Sequence, residues 1–284
     1  MGEIELFARE LKRLEKYRAY KPVVIGITGT NGKTTTTVLT SKMAAASCST
    51  VVAGNIGPSA LMELDRHLQD NTLPEVWVLE LSSFQLQTTT SLNCTAAAFL
   101  NLTEDHVDWH GRWPLTKPRK TESFLKKPFE CSIATMLPPC VRLNRPCLSP
   151  SVIRLLKRRR VRHCDRRGWS SGLPADSSCG FLETQKQAAL FWRDATQELL
   201  MPVEALRIRG RHNAMNALAA LALIDAVGLP LGPALQVLKN YEGEAHRVQP
   251  VLSVNDIEFI DDSKGTNVAP SKLRSKAWVN PAAV

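Results

Sequence analysis

Nowhere in this chain of 284 residues is there an apolar run fit to cross a bilayer. A span takes about 20 consecutive apolar residues. The most hydrophobic stretch, residues 217–231, is broken by Asp225, Gly228 and Pro230. The start, Met1-Gly2-Glu3-Ile4-Glu5, is too charged to read as a secretory signal. A soluble cytoplasmic protein without a membrane span is expected. Paired cysteines are missing as well. The seven cysteines include no Cys-x-x-Cys pair and their number is odd. That supports neither a zinc site nor a disulfide framework.

Acidic residues are scarce in one stretch. Between positions 112 and 167, 16 Lys and Arg face three acids, Glu122, Glu130 and Asp165. The rest of the chain holds 20 bases and 24 acids, so this segment accounts for the net charge of +9. Such a segment raises a nucleic-acid-binding insertion as one reading. It has Arg clusters with Trp113 and Trp169, but no interleaved aromatic pattern and no recognisable module. No nucleic-acid partner is expected.

The most informative stretch is Gly26-Ile27-Thr28-Gly29-Thr30-Asn31-Gly32-Lys33-Thr34-Thr35. It follows a β-branched run and opens a helix-compatible one, so several backbone N–H groups converge near a helix N-terminus. A phosphate there meets those donors and the positive end of the helix dipole. Lys33 can reach the outer phosphates and the Thr34 hydroxyl can ligate magnesium. The generic phosphate loop would need glycine at position 27, which is Ile27.

The chain is long enough for one large or two ordinary domains. Apolar strands at residues 22–28, 49–53, 76–81 and 96–102 alternate with helical segments at 34–46 and 59–68, which predicts a parallel sheet with helices on its faces. Ligands bind such sheets at the carboxyl ends of the strands. Pattern fails over 112–180, where Pro, Arg, Cys and Ser dominate. It returns with a strand at 188–192, helices at 214–227 and 231–239, and strands at 251–254 and 257–260. It is lost again over 271–284. Two further motifs close predicted strands. Glu80-Leu81-Ser82-Ser83-Phe84-Gln85-Leu86 puts a carboxylate where it can hold magnesium, unless it is merely a capped surface turn. The polar run Asn101-Leu102-Thr103-Glu104-Asp105-His106 offers His106 as a metal ligand.

In its short Gly-Thr-Asn-Gly-Lys-Thr form the glycine loop resembles that of the Mur ligase family, ATP-dependent amide-forming enzymes of peptidoglycan synthesis, and of their folylpolyglutamate synthetase relatives. The Glu-x-Ser-Ser-Phe-Gln-Leu run favours the branch that joins D-glutamate to UDP-N-acetylmuramoyl-L-alanine. Gly54-Asn55-Ile56-Gly57, Gly210-Arg211-His212-Asn213-Ala214-Met215-Asn216, His246-Arg247 and Asp262-Ser263-Lys264-Gly265-Thr266-Asn267 match family motifs in family order. The resemblance implies an α/β fold, a parallel-sheet central ATPase domain of P-loop type followed by the start of a Rossmann-like C-terminal domain. It implies ATP on Gly29, Thr30, Asn31, Gly32, Lys33, Thr34 and Thr35, with Asn216, Arg247 and Asp262 also near the nucleotide. Mg²⁺ would sit on Thr34, Glu80 and His106, and Lys33, Glu80 and His106 would form the catalytic set. Asn55 would face the muramoyl substrate, and Lys264 and Thr266 the incoming D-glutamate.

The domains expected are a remnant or linker at 1–21, the central domain at 22–111 and its end at 181–209, and a shortened C-terminal domain at 210–284. Between the two central pieces, residues 112–180 form an aberrant basic segment expected not to fold. The chain departs from the family in three places. Only 25 residues precede Gly26, where the family carries a uridine-nucleotide domain. The chain stops soon after the Asp262–Asn267 motif. The family's Ala-Tyr-x-x-Ala-Lys-x-x-Ile-Phe helix is replaced by Leu115-Thr-Lys-Pro-Arg-Lys-Thr-Glu-Ser-Phe124. Little or no ligase activity is therefore expected, from a monomer. The alternatives are an inactive ATP-binding fragment and a folylpolyglutamate-type ligase, the latter disfavoured by Ser82-Ser83-Phe84-Gln85.

A shift of reading frame accounts for the third departure. Codons compatible with residues 114–124, read from the last base of the first, give Ala-Tyr-Lys-Ala-Ala-Lys-Asn-Arg-Ile-Phe. The same offset over residues 269–280 gives a plausible continuation of the family's next helix. Sequencing the gene tests this: codons that yield those peptides at that offset are the expected result, and codons that cannot would sink the idea.

Overall fold

The structure, a computed structural model, describes residues 1–101 and 199–264 apart from Val248 and Asp256, together with the backbone of four short strands between those two parts. The first part runs α1 (Glu3–Arg18), β1 (Val23–Thr28), α2 (Lys33–Ala45), β2 (Thr50–Gly54), α3 (Ala60–Gln69), β3 (Val76–Glu80), α4 (Ser83–Gln87) and β4 (Ala96–Phe99). The intervening strands are β5 (Ile153–Arg154), β6 (Gly168–Ser170), β7 (Cys179–Glu183) and β8 (Ala188–Trp192). After β9 (Leu199–Pro202) come α5 (Arg211–Ala226), α6 (Leu231–Asn240), β10 (Gln249–Val254) and β11 (Ile257–Asp261). Among the described residues no helix is long and apolar enough to cross a membrane.

Strands β1 to β4 form the parallel sheet that the sequence predicts, in the order β2-β3-β1-β4. The run Val-Trp-Val-Leu-Glu of β3 is buried throughout, as a central strand covered on both faces must be. Register brings Val23 opposite Val76 and Ile27 opposite Glu80, while Gly54 of β2 also faces Glu80 and Thr28 faces Phe99 of β4. The four carboxyl ends thus lie side by side.

Alternation along the strands divides the core in two. Ile25, Ile27, Val76, Val78, Ala96 and Ala98 join Leu39 and Met43 of α2 and the apolar residues of α5 and α6. Helix α5 is buried all round from Ala217 to Ile224, which marks it as a core helix rather than a surface one. Residue 210, where a second domain is expected to begin, therefore opens a helix that shares its core with the parallel sheet. On the opposite face Val24, Trp77, Leu79 and Leu81 pack against Ile4, Phe7, Ala8 and Leu14 of α1 and Ala60 and Leu64 of α3.

Helix α1 lies in the stretch read from sequence as a linker or domain remnant. Its apolar residues recur at helical spacing, and Phe7 meets Trp77 edge-on with ring centroids 5.1 Å apart. The Trp77 indole donates to the Tyr20 hydroxyl at 2.9 Å, and that hydroxyl donates to the Pro74 carbonyl at 2.6 Å. Burial pushes the Tyr20 phenol up to about 12, so it keeps the proton that this chain of bonds requires.

The strands β5 to β9 make a second sheet in chain order, and β10 and β11 form an antiparallel hairpin. Of the second sheet, β5 and β6 fall inside the 112–180 stretch and β7 begins there. The hairpin sets Leu252 opposite Phe259 and Val254 opposite Ile257, and all four side chains are exposed.

Glu5, only 2% exposed, ties α1 to the loop after α4. Its carboxylate accepts from the Thr90 and Ser91 N–H groups at 2.6 and 2.7 Å, from the Ser91 hydroxyl at 2.8 Å and from Arg9 at 2.9 Å. Burial alone would raise this carboxyl, but the hydrogen bonds outweigh it and hold it well below the usual range. Its stabilisation is therefore complete above the unfolded carboxyl's range near ~4.3 and is lost as pH falls toward the folded value. Glu5→Gln is expected to cost about 1–2 kcal/mol in urea unfolding at pH 7. Most of that difference should be gone at pH 3, below the unfolded carboxyl's range; an unchanged difference would contradict the assignment.

Candidate functional site

The site begins where β1 stops. Gly29 to Gly32 turn the chain from the carboxyl end of the sheet into α2, whose N-cap is Gly32 with φ +81°. Gly32 has no side chain with which to cap that end. A Cβ at residue 32 would collide with the Asn216 side-chain amide, so glycine is needed for its left-handed backbone and for the close approach of α5. Asn216 thereby reaches the loop from the other half of the chain. Lys33 folds back across the loop, its ammonium donating to the Gly29 and Thr30 carbonyls at 3.0 Å each.

Glu80 ends β3 and is 2% exposed. One carboxylate oxygen, Oε1, accepts from the Asn55 amide at 2.8 Å, and the Asn55 N–H donates to the Glu80 carbonyl at 2.8 Å. The other oxygen, Oε2, is buried and has no hydrogen-bond partner among the described residues. A buried carboxylate oxygen left unpaired is costly unless a cation or donor meets it. The donor set therefore fits a hard divalent cation, which takes oxygen ligands. The following turn is held by a capping box, with the Gln85 N–H on the Ser82 hydroxyl and the Ser82 N–H on the Gln85 side chain.

Arg247 arrives from the hairpin side. Its guanidinium donates to the Thr34 hydroxyl at 3.1 Å, and its Nε is buried without a partner among the described residues. Beside it, the His246 Nδ1 lies 2.6 Å from Asp261 Oδ2, and the Lys264 N–H donates to the His246 carbonyl at 3.2 Å. The Ser263 N–H, which donates to Asp261 at 2.9 Å, and the His246 ring lower the Asp261 carboxyl to about 2.

Several predicted site residues are thus brought together. The loop from Gly29 to Thr35, Glu80 and Asn55 share one end of the sheet, and Asn216 and Arg247 reach it from the distant half. Asp262 is half-buried and Lys264 exposed, two residues apart at the end of the described hairpin region. His106 and Thr266 lie outside the described residues, so Thr34 and Glu80 are the members of the predicted metal set that can be placed. Sequence reasoning missed Asn101, which bonds the loop twice through its side chain, and Asp261, the partner of His246.

Known proteins resemble this chain in sequence and in fold. Residues 27–119 match the Mur ligase middle domain. The UDP-N-acetylmuramoylalanine–D-glutamate ligase of Albidiferax ferrireducens is 44% identical over 94% of this chain and 55% of its own length. The protein of that name from Bordetella parapertussis is 42% identical over 94% of this chain and 54% of its own. The chain spans about half the length of these curated relatives. Among solved structures it resembles a UDP-N-acetylmuramoyl-L-alanyl-D-glutamate–2,6-diaminopimelate ligase, with a TM-score of 0.58 at 18% identity, over 89% of this chain and 53% of that one. It also resembles the UDP-N-acetylmuramoylalanyl-D-glutamyl-2,6-diaminopimelate–D-alanyl-D-alanyl ligase of Acinetobacter baumannii, with a TM-score of 0.57 at 18% identity over 96% of this chain and 57% of that one. At such identities the structures speak for the fold alone. The sequence likeness to these ligases runs through both halves of the site, and residues 27–119 carry the Mur ligase middle-domain match.

Proposed function

We propose that this chain binds ATP with Mg²⁺ at the Gly29–Thr35 loop, and that its site is built for joining D-glutamate to UDP-N-acetylmuramoyl-L-alanine. The observation that carries the reading is Glu80. It is a buried carboxylate with one oxygen held by Asn55 and the other unpaired among the described residues, beside the strand that feeds the loop. Thr34 and Glu80 would hold the magnesium, with His106 as the further ligand the family pattern implies. When bound, the ion neutralises charge on the phosphate oxygens.

In the proposed reaction an oxygen of the substrate carboxylate attacks the γ-phosphorus, the bond to the ADP oxygen breaks, and an acyl phosphate forms. The D-glutamate amine then attacks the acyl carbon. Phosphate leaves with the carbon–oxygen electron pair, and the amine releases its proton. Lys33 and the loop amides stabilise charge on the transferred phosphoryl group, so the protein contributes mainly positioning and electrostatics. Asn55 would face the muramoyl substrate, Asn216, Arg247 and Asp262 the nucleotide, and Lys264 and Thr266 the D-glutamate. The setting is that of a soluble cytoplasmic monomer.

Ligase turnover by this chain is proposed to be impaired. The sequence of residues 115–124 departs from the lysine-bearing pattern that the family uses to bridge metals, and the middle-domain match ends at residue 119. Nucleotide binding survives that loss, because the residues assigned to it lie on other segments.

Titration with a fluorescent ADP in the presence of Mg²⁺ tests the binding half. Saturable binding is expected, weakened in Lys33→Ala by about tenfold or more, roughly 1.4 kcal/mol. Glu80→Gln should bind with an affinity that no longer responds to Mg²⁺. Absence of binding, or a Lys33→Ala variant equal to the parent, would overturn the reading. For the ligase half, ADP release that depends on both UDP-N-acetylmuramoyl-L-alanine and D-glutamate should be near background, and robust turnover would refute the impairment.

A further inference from the structure

Asn101 follows β4 and faces the glycine loop across the end of the sheet. Its carbonyl accepts the Thr30 N–H at 3.0 Å. Its side-chain Oδ1 accepts the Asn31 N–H at 2.8 Å, and its Nδ2 donates to the Asn31 carbonyl at 2.8 Å. Because one end of the amide meets a donor and the other an acceptor, only this orientation of the side chain satisfies both. Gly29 is part of the same contact. With φ +149°, a Cβ there would lie 3.2 and 3.3 Å from the Asn101 N and O atoms and 3.1 Å from the Leu100 Cβ. A side chain at residue 29 would push β4 and the loop apart.

The loop therefore has two halves with different tasks. The N–H groups of Thr30 and Asn31 point at Asn101 and are used there. Those of Gly32, Lys33, Thr34 and Thr35 belong to the cap and first turn of α2, where no intrahelical acceptor exists. They also sit at the positive end of the helix dipole. The same clamp orients the Lys33 ammonium, since the Gly29 and Thr30 carbonyls that hold it belong to the very peptide groups whose N–H groups Asn101 fixes.

We infer that Asn101 is a positioning residue for nucleotide binding. It anchors the first half of the loop to β4, so that the terminal phosphates are met by the amides of residues 32–35 and by Lys33, and not by the whole Gly29–Thr35 run. This rests on the nucleotide reading given above, and it narrows which donors do the binding.

Two measurements on the full chain test it, with Lys33→Ala as the control for the nucleotide reading itself. The first compares Mg·ADP with AMP, which lacks the β-phosphate, by displacement of a fluorescent nucleotide. Asn101→Ala should lose about tenfold or more in ADP affinity while AMP changes less than about twofold, with thermal unfolding shifted only slightly. Asn101→Asp, which keeps an acceptor for Asn31 N–H but loses the donated bond, should show the same split. Unchanged ADP affinity, or equal losses for ADP and AMP, would overturn the inference. The second uses the unmutated protein, so it does not depend on any variant folding. In amide hydrogen exchange, Thr30 and Asn31 should be protected with or without Mg·ADP, and residues 32–35 should gain protection only when it is added. Protection of Thr30 and Asn31 that appears only with nucleotide would refute the division. A parent protein that does not bind Mg·ADP, or that binds it no better than Lys33→Ala, would remove the nucleotide reading and this inference with it.

Discussion

The parallel pairing of β1 with β3 is the constraint on which the rest of the site depends. Both strands are buried on both faces, so their register is fixed by packing from two sides. A slip of one residue would send Trp77 and Leu79 toward the α5 face and Val76 and Val78 toward α1. It would also move Glu80 away from Ile27, two residues before the loop. The position of the carboxylate is thus set by hydrophobic alternation along two strands, not by the polar groups around it. Burying that carboxylate costs free energy. Asn55 offsets part of the cost, and the other oxygen, without a partner among the described residues, gives the site its chemical character.

The two described parts of the chain are joined by core packing and not by surface contacts alone. Helix α5, with Leu218, Leu221 and Ile224 fully buried, lies in the same cluster as Ile25, Ile27 and Leu39. Burial of such side chains contributes roughly 1.5–3 kcal/mol each. That packing holds Asn216 against Gly32, so the loop is shaped by a residue far along the sequence. Arg247 on Thr34 is a second such link, 213 positions apart.

Much of this architecture was legible in the sequence. The β-branched runs before Thr28 and Glu80 named the central strands, and the glycine loop named the site, because each is a local pattern with a local cause. Helix α1 escaped although Ile4, Phe7, Leu11 and Leu14 follow a helical period, since charged residues surround them and Gly2 offers no side-chain cap. Asn101 escaped for a different reason. Its role depends on β4 lying beside β1, and its partner Asn31 is 70 residues away. Nothing in the spacing of one asparagine announces such a contact. The polar run beginning at Asn101 drew attention to His106 as a metal ligand, while the residue at its head was holding the loop.

The account turns on Glu80 as the carboxylate that meets the divalent cation beside a nucleotide held by the loop. A crystal structure of the chain with ADP and Mn²⁺, the metal located by its anomalous signal, tests this most directly. The account predicts a manganese peak within bonding distance of Glu80 Oε2, next to the phosphates over residues 32–35. A metal bound away from Glu80, or a Glu80 Oε2 satisfied by another side chain with nucleotide in place, would contradict it.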